Sequence, residues 1–141
     1  MFSPDGRWLA YTSTESGQQE VYVRPFPGPG GKWQVSTGGG RHPVWSRVRH
    51  ELFYGQRDNG QIMVATFKVQ GDSFRAEKPR LWSEGRYQTR GSNRMFDLHP
   101  DGERFVLAAA PQTPGGAKQD KVVFISNFFD ELRRIAPATR R

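Results

Sequence analysis

The stretch Ser3-Pro4-Asp5-Gly6-Arg7-Trp8-Leu9-Ala10-Tyr11 decides the fold, because variants of it return at Ser46 to Tyr54 and at His99 to Leu107. Aligning Ser3, Ser46 and His99 gives spacings of 43 and 53 residues. Both are close to the roughly 40 to 50 residues of a repeat that builds one four-stranded antiparallel unit, the second leaving room for a longer loop.

The Pro-Asp-Gly step in this stretch is turn chemistry. Pro4 presets φ, Asp5 can accept hydrogen bonds from nearby backbone N–H groups, and Gly6 takes a positive φ without a Cβ penalty. The third copy keeps these residues as Pro100-Asp101-Gly102, whereas the second has Arg47-Val48-Arg49 in their place. The same logic makes Asp5 and Asp101 turn residues and Trp8 a packing residue.

Each repeat resolves into short strands. In the first, Trp8 to Ser13 and Glu20 to Arg24 are rich in aromatic and β-branched residues, with Val21 and Val23 on one face and Tyr22 on the other. Pro and Gly punctuation from Pro25 to Gly31 precedes a third strand, Lys32 to Ser36, and Thr37 to Gly40 crosses to the next unit. The second unit reads as His42 to Ser46, His50 to Gly55, Gln61 to Val69 and Pro79 to Ser83. The third reads as Arg94 to His99, Arg104 to Ala110 and Lys121 to Asn127, with Pro111 to Gly116 as a long loop. Phe105-Val106-Leu107 and Val122 to Ile125 are apolar on both faces, the pattern of sheets stacked between neighbours. Near the C-terminus the period changes: Phe128, Leu132 and Ile135 line one face of a short helix that Asn127 can cap and Pro137 ends.

The expected fold is therefore all-β, a partial β-propeller of two to three four-stranded antiparallel blades with a short C-terminal helix. The whole chain, 1–141, is one propeller segment, with blade units at about 1–40, 41–92 and 93–127 and the helix at 128–136.

Composition agrees with a turn-rich β protein: hydrophobic residues make up 35%, and 16 Gly and 10 Pro fall where turns are needed. Cysteine is absent, which excludes disulfides and thiolate sites. No run of eighteen apolar residues exists, and the N-terminus lacks the basic and apolar regions of a signal peptide, so the segment itself is expected to make no membrane contact. The net charge is +7, and 16 of the 21 basic residues are Arg, the side chain suited to bidentate anion contacts.

The motifs that would carry catalysis are missing from the sequence: no Gly-x-Ser-x-Gly elbow, no His-Glu-x-x-His, no phosphate loop and none of the protein-kinase signatures. The three histidines, His42, His50 and His99, match no metal-ligand spacing and read as structural or surface residues. Gly38-Gly39-Gly40-Arg41 could cradle an anion, but no helix follows to add its dipole, and a crossover between units is the better reading. Asp97 sits within a strand. Trp8, Trp33, Trp45 and Trp82 all fall at strand positions and read as packing. The expectation is no enzyme, with no catalytic, cofactor-binding or metal residue assigned and no cofactor.

The segments Phe2 to Tyr11 and Ser36 to Ser46 resemble the TolB-like propeller repeat, whose units run from a Gly-containing crossover through Pro-x-Trp-Ser-Pro-Asp-Gly into a Leu-x-Tyr strand. The segment Glu20 to Trp33 and the ending Asn127 to Leu132 further resemble the C-terminal propeller, or sensor, end of bacterial Ser/Thr protein kinases. This resemblance implies a non-catalytic ligand- or protein-interaction propeller segment, the C-terminal part of a larger bacterial sensor or TolB-like protein. It also implies a periplasmic or other extracytoplasmic location, which the chain's own residues do not specify. An alternative is the propeller of a prolyl-oligopeptidase-type peptidase without its catalytic domain. A third is a basic nucleic-acid-binding module in which aromatics among Arg41 to Arg49 and Arg80 to Arg94 stack on bases, though no nucleic-acid fold motif accompanies them.

Partners follow from the same reading: protein or peptide, or the missing blades of the parent chain. Met1-Phe2 stands where the second unit has Pro43-Val44-Trp45, so the first strand of the first blade is expected to be nearly absent. Propellers close with about four to eight blades, and self-association of two arcs into one ring is a hypothesis that a monomeric mass in light scattering would remove. The turn at Arg47 to Arg49, lacking Pro and Gly, is predicted to be the loosest of the three. NMR relaxation should report higher backbone mobility there than at Pro4 to Gly6, and equal or lower mobility refutes the prediction.

Overall fold

The computed structural model describes residues 1–87 and 93–108, all within one compact unit, Met1–Pro111. Its described residues form ten strands and no helix: β1 (Trp8–Ser13), β2 (Glu20–Pro25), β3 (Trp33–Gln34), β4 (Arg41–Trp45), β5 (Glu51–Gly55), β6 (Gln61–Gln70), β7 (Ser73–Ala76), β8 (Arg80–Arg86), β9 (Phe96–Leu98) and β10 (Phe105–Leu107). The expected strand Lys121 to Asn127 and the helix 128–136 lie outside the described residues.

Three antiparallel sheets result. The first has the order β1-β2-β3, and Phe2 bridges to Leu9 on the free side of β1. Met1 and Ala10 exchange N···O contacts of 2.6 and 2.9 Å, so two residues stand where the second sheet has all of β4. The second sheet runs β4-β5-β6, with β8 on the first half of β6 and β7 on its second half. The third is the hairpin β9-β10.

The second sheet is covered on both sides. Every residue of β5 is buried, which the alternating direction of strand side chains allows only if each face meets another layer. On one face Trp45, Leu52, Tyr54 and Phe67 pack with Trp8, Ala10, Val21 and Val23 of the first sheet. On the other, Val44, Phe53, Ile62 and Val64 pack with Phe96, and with the partly buried Leu98, Phe105 and Leu107 of the third.

The repeat offsets map onto these directions. Leu52 and Tyr54 point back to the first sheet, and their equivalents Phe105 and Leu107 point back to the second. Ala10 and Phe53 point forward and are fully buried. Val106 occupies the same position in the third repeat, yet it is 72% exposed. The expectation that Phe105 to Leu107 would be buried on both faces is thus corrected, because no described residue forms a layer on the Val106 side.

Two further differences have local causes. The expected strand Lys32 to Ser36 shortens to β3: Val35 still donates to the Val21 carbonyl, but the Val21 N–H goes to the Ser36 hydroxyl at 2.7 Å instead of to a backbone carbonyl of the ladder. The sequence reading also missed β7. The loop Gly71-Asp72, with Gly71 at φ +58°, folds β7 back on the end of β6 as a two-residue hairpin. That hairpin inserts Phe74, 1% exposed, among Trp8, Phe67, Trp33 and Trp45 at ring-centroid distances of 5.1 to 6.2 Å. Edge-to-face and tilted aromatic contacts of this kind add to simple burial.

Phe53 meets Trp82 at 5.0 Å and Phe105 at 5.2 Å. Phe53→Ala is predicted to lower the unfolding free energy by about 3 to 5 kcal/mol. Val106→Ala, at the equivalent but exposed place, should change it by no more than about 0.5 kcal/mol. Urea denaturation monitored by tryptophan fluorescence measures both, and similar losses for the two would contradict the layer assignment.

Candidate functional site

The three repeat turns gather at one end of the sheets. In every copy the first residue donates its N–H to the carbonyl five positions on: Ser3 to Trp8 at 2.8 Å, Ser46 to Glu51 at 2.9 Å and His99 to Arg104 at 2.8 Å. The Gly6 and Gly102 N–H groups close the first and third turns onto the Ser3 and His99 carbonyls, both at 2.9 Å. Those glycines have φ of +72° and +73°, the left-handed region the Pro-Asp-Gly reading requires. The second turn has no glycine and closes differently: the Ser46 hydroxyl accepts the N–H groups of Val48 and Arg49 at 3.3 and 3.1 Å.

Both turn aspartates do what the sequence assigned to them. Asp5 accepts the Arg7 N–H at 3.1 Å and the Ser3 hydroxyl at 2.5 Å, and the Ser3 bond is the main cause holding its carboxyl below the ordinary value. Asp101 accepts the Glu103 N–H at 2.9 Å, and this bond, helped by Arg104 and His99, brings its pKa to about 2. His99 stands in the serine's place, its Nδ1 lying 3.0 Å from the Asp101 carboxylate and 3.3 Å from the Asp101 backbone nitrogen. Arg49 and Glu103, 2.8 Å apart, tie the second turn to the third.

Below these turns a groove of about 700 Å³ runs past residues of all three repeats, including Phe2 and Pro4, Trp45 and Arg47, and Leu98 and Pro100. A second concavity of about 630 Å³ lies between the first and second turns, beside Asp5, Arg7, Arg49 and His50. His50 stacks on Phe67 at 5.4 Å. His42 lies elsewhere, at an irregularity in the β4–β5 register between Arg41 and Val44, with φ +56°. Its Nε2 is enclosed with no hydrogen-bond partner, and burial, followed by the charges of Arg41 and Arg94, pushes its pKa down. The three histidines are therefore dispersed, and among the described residues no group of three or more His, Cys, Asp or Glu could hold a metal ion.

The glycine stretch after β3 does bind an anion, and the anion is the protein's own. Glu20, 1% exposed, accepts the Gly39 N–H at 2.9 Å, the Gln18 side-chain amide at 2.7 Å and the Ser36 hydroxyl. The Gly40 N–H goes to the Gln19 carbonyl at 2.8 Å. A buried carboxylate with this many donors locks the crossover from the first sheet to the second. Burial and the nearby Glu20 charge also push the Tyr54 hydroxyl pKa well up. Sequence reading missed Glu20 because nothing in its spacing to Gly39 marks the contact.

The aromatics that the nucleic-acid reading would use for stacking face inward: Trp45 is 4% exposed, Tyr87 2%, and the half-buried Trp82 packs on Phe53. Among the described residues no helix is long and apolar enough to cross a membrane. Comparison with protein-family models, curated proteins and solved structures returned no match.

Proposed function

We propose that the chain is a non-catalytic interaction segment of a β-propeller of the TolB-like kind, binding protein or peptide through the groove at its repeat turns. The observation that carries this reading is the equivalence of the three turns, which share the outer hydrogen bond from their first residue to the carbonyl five positions on and converge on one groove. Corresponding loops of successive repeats, held on rigid sheets, are where repeat proteins place binding surfaces. The stacking supports the propeller part. The second repeat sends Leu52 and Tyr54 to the preceding sheet and Phe53 onward, and the third sends Phe105 and Leu107 back in the same way, the stacking that successive blades use. The parent class, a larger extracytoplasmic bacterial sensor, rests on the segments Glu20 to Trp33 and Asn127 to Leu132.

A displayed peptide library panned against the protein tests this reading. Selected peptides are expected to slow hydrogen exchange at the three turns and to be recovered uncleaved by mass spectrometry. Protection confined to the opposite strand ends, or hydrolysis of the peptides, overturns it.

A further inference from the structure

The groove has a one-sided charge. Arg94 lines both the 700 Å³ groove and an adjoining concavity of about 380 Å³. The larger space adds Arg47 and the smaller adds His42. Among the described residues lining the two, Asp97 is the one carboxylate, and it is already engaged by Arg94 at 3.4 Å. Arg47 is exposed and has no ion-pair partner among the described residues.

The backbone contributes to this arrangement. His42 is the one non-glycine residue at positive φ among those described, and it sits where the β4–β5 ladder is irregular. Such bulges re-aim side chains beside binding sites, and a strained backbone persists only where its surroundings hold it. His42 and Arg94 line the same concavity, and burial first, then the charges of Arg41 and Arg94, lowers the basicity of the imidazole. With Asp97 set against Arg94, the Arg47 guanidinium is left as the unbalanced positive charge of the groove, and an incoming anion gains from such an excess.

We infer that the groove and its adjoining concavity form one track for an acidic peptide segment, whose carboxylates are received by Arg94 and Arg47. This rests on the groove being the chain's interaction surface. The walls favour peptide: Phe2, Pro4, Leu98 and Pro100 offer apolar contact to the residues between carboxylates. A guanidinium matches a carboxylate with two parallel hydrogen bonds. Base stacking has less support: Trp45 is buried, and Phe2 is the exposed one of the two, Phe2 and Trp45, that line the larger groove.

The test compares fluorescein-labelled hexaglutamate, hexaglutamine and an oligothymidylate by fluorescence anisotropy. Hexaglutamate should bind about tenfold more tightly than hexaglutamine, and Arg94→Gln or Arg47→Gln should each weaken it about tenfold, the size of one charge-assisted contact. Arg57→Gln carries the same change in net charge in the turn after β5, at a residue that lines neither space, and should stay within about twofold of the unaltered protein. Arg94→Lys should recover part of the loss. Bound hexaglutamate should also move the His42 NMR titration upward, since a nearby negative charge favours the imidazolium. Equal losses in the Arg57 and Arg94 variants, or oligothymidylate binding as tightly as hexaglutamate, would reduce the effect to overall basicity and overturn the inference. If library peptides protect the turns while hexaglutamate leaves His42 unmoved, the interaction reading stands and this inference falls.

Discussion

The structure depends on one constraint: a sheet whose two faces are both apolar must be covered twice. β5 is buried at all five residues, so it has no solvent face. Its Leu52 and Tyr54 require a layer on one side and its Phe53 a layer on the other. The first and third sheets supply those layers. Burial of apolar area is the dominant favourable term in folding, and here it acts mainly between sheets, because each sheet alone is only two to five strands of modest length.

That constraint places the groove. Three sheets stacked in the same sense carry their equivalent turns to the same end, so a residue near the start of each repeat arrives beside its counterparts. The turns need little from the rest of the molecule, since each closes through bonds within about five residues. The second shows how tolerant the scheme is: without Pro or Gly, Ser46 redirects its hydroxyl to Val48 and Arg49 and the outer bond to Glu51 is unchanged. What the stack adds is proximity, with Arg49 reaching Glu103 across repeats.

Two polar features at the core's edge have opposite characters. The Glu20 network is closed: its carboxylate is met by Gly39, Gln18 and Ser36, all local to the crossover it locks. The neighbourhood of Arg94 and Arg47 is open, with positive groups brought together and a single carboxylate beside them. A satisfied buried carboxylate reads as architecture, and an unbalanced charged groove reads as a place for something else.

For the described residues, the sequence by itself determined the repeat turns, the all-β class and most strand positions, because strand alternation and Pro-Asp-Gly geometry are local properties. Trp8, Trp33, Trp45 and Trp82 were legible as packing residues for the same reason. Tertiary structure alone decided the rest. It placed Phe74 of the unread β7 among Trp8, Trp33, Trp45 and Phe67, gave Glu20 to the glycine crossover, exposed Val106 while burying its equivalents, and set Arg94 near His42. Each of these joins residues far apart in the chain, and their meeting is fixed by how the sheets stack, which no local pattern of residues encodes.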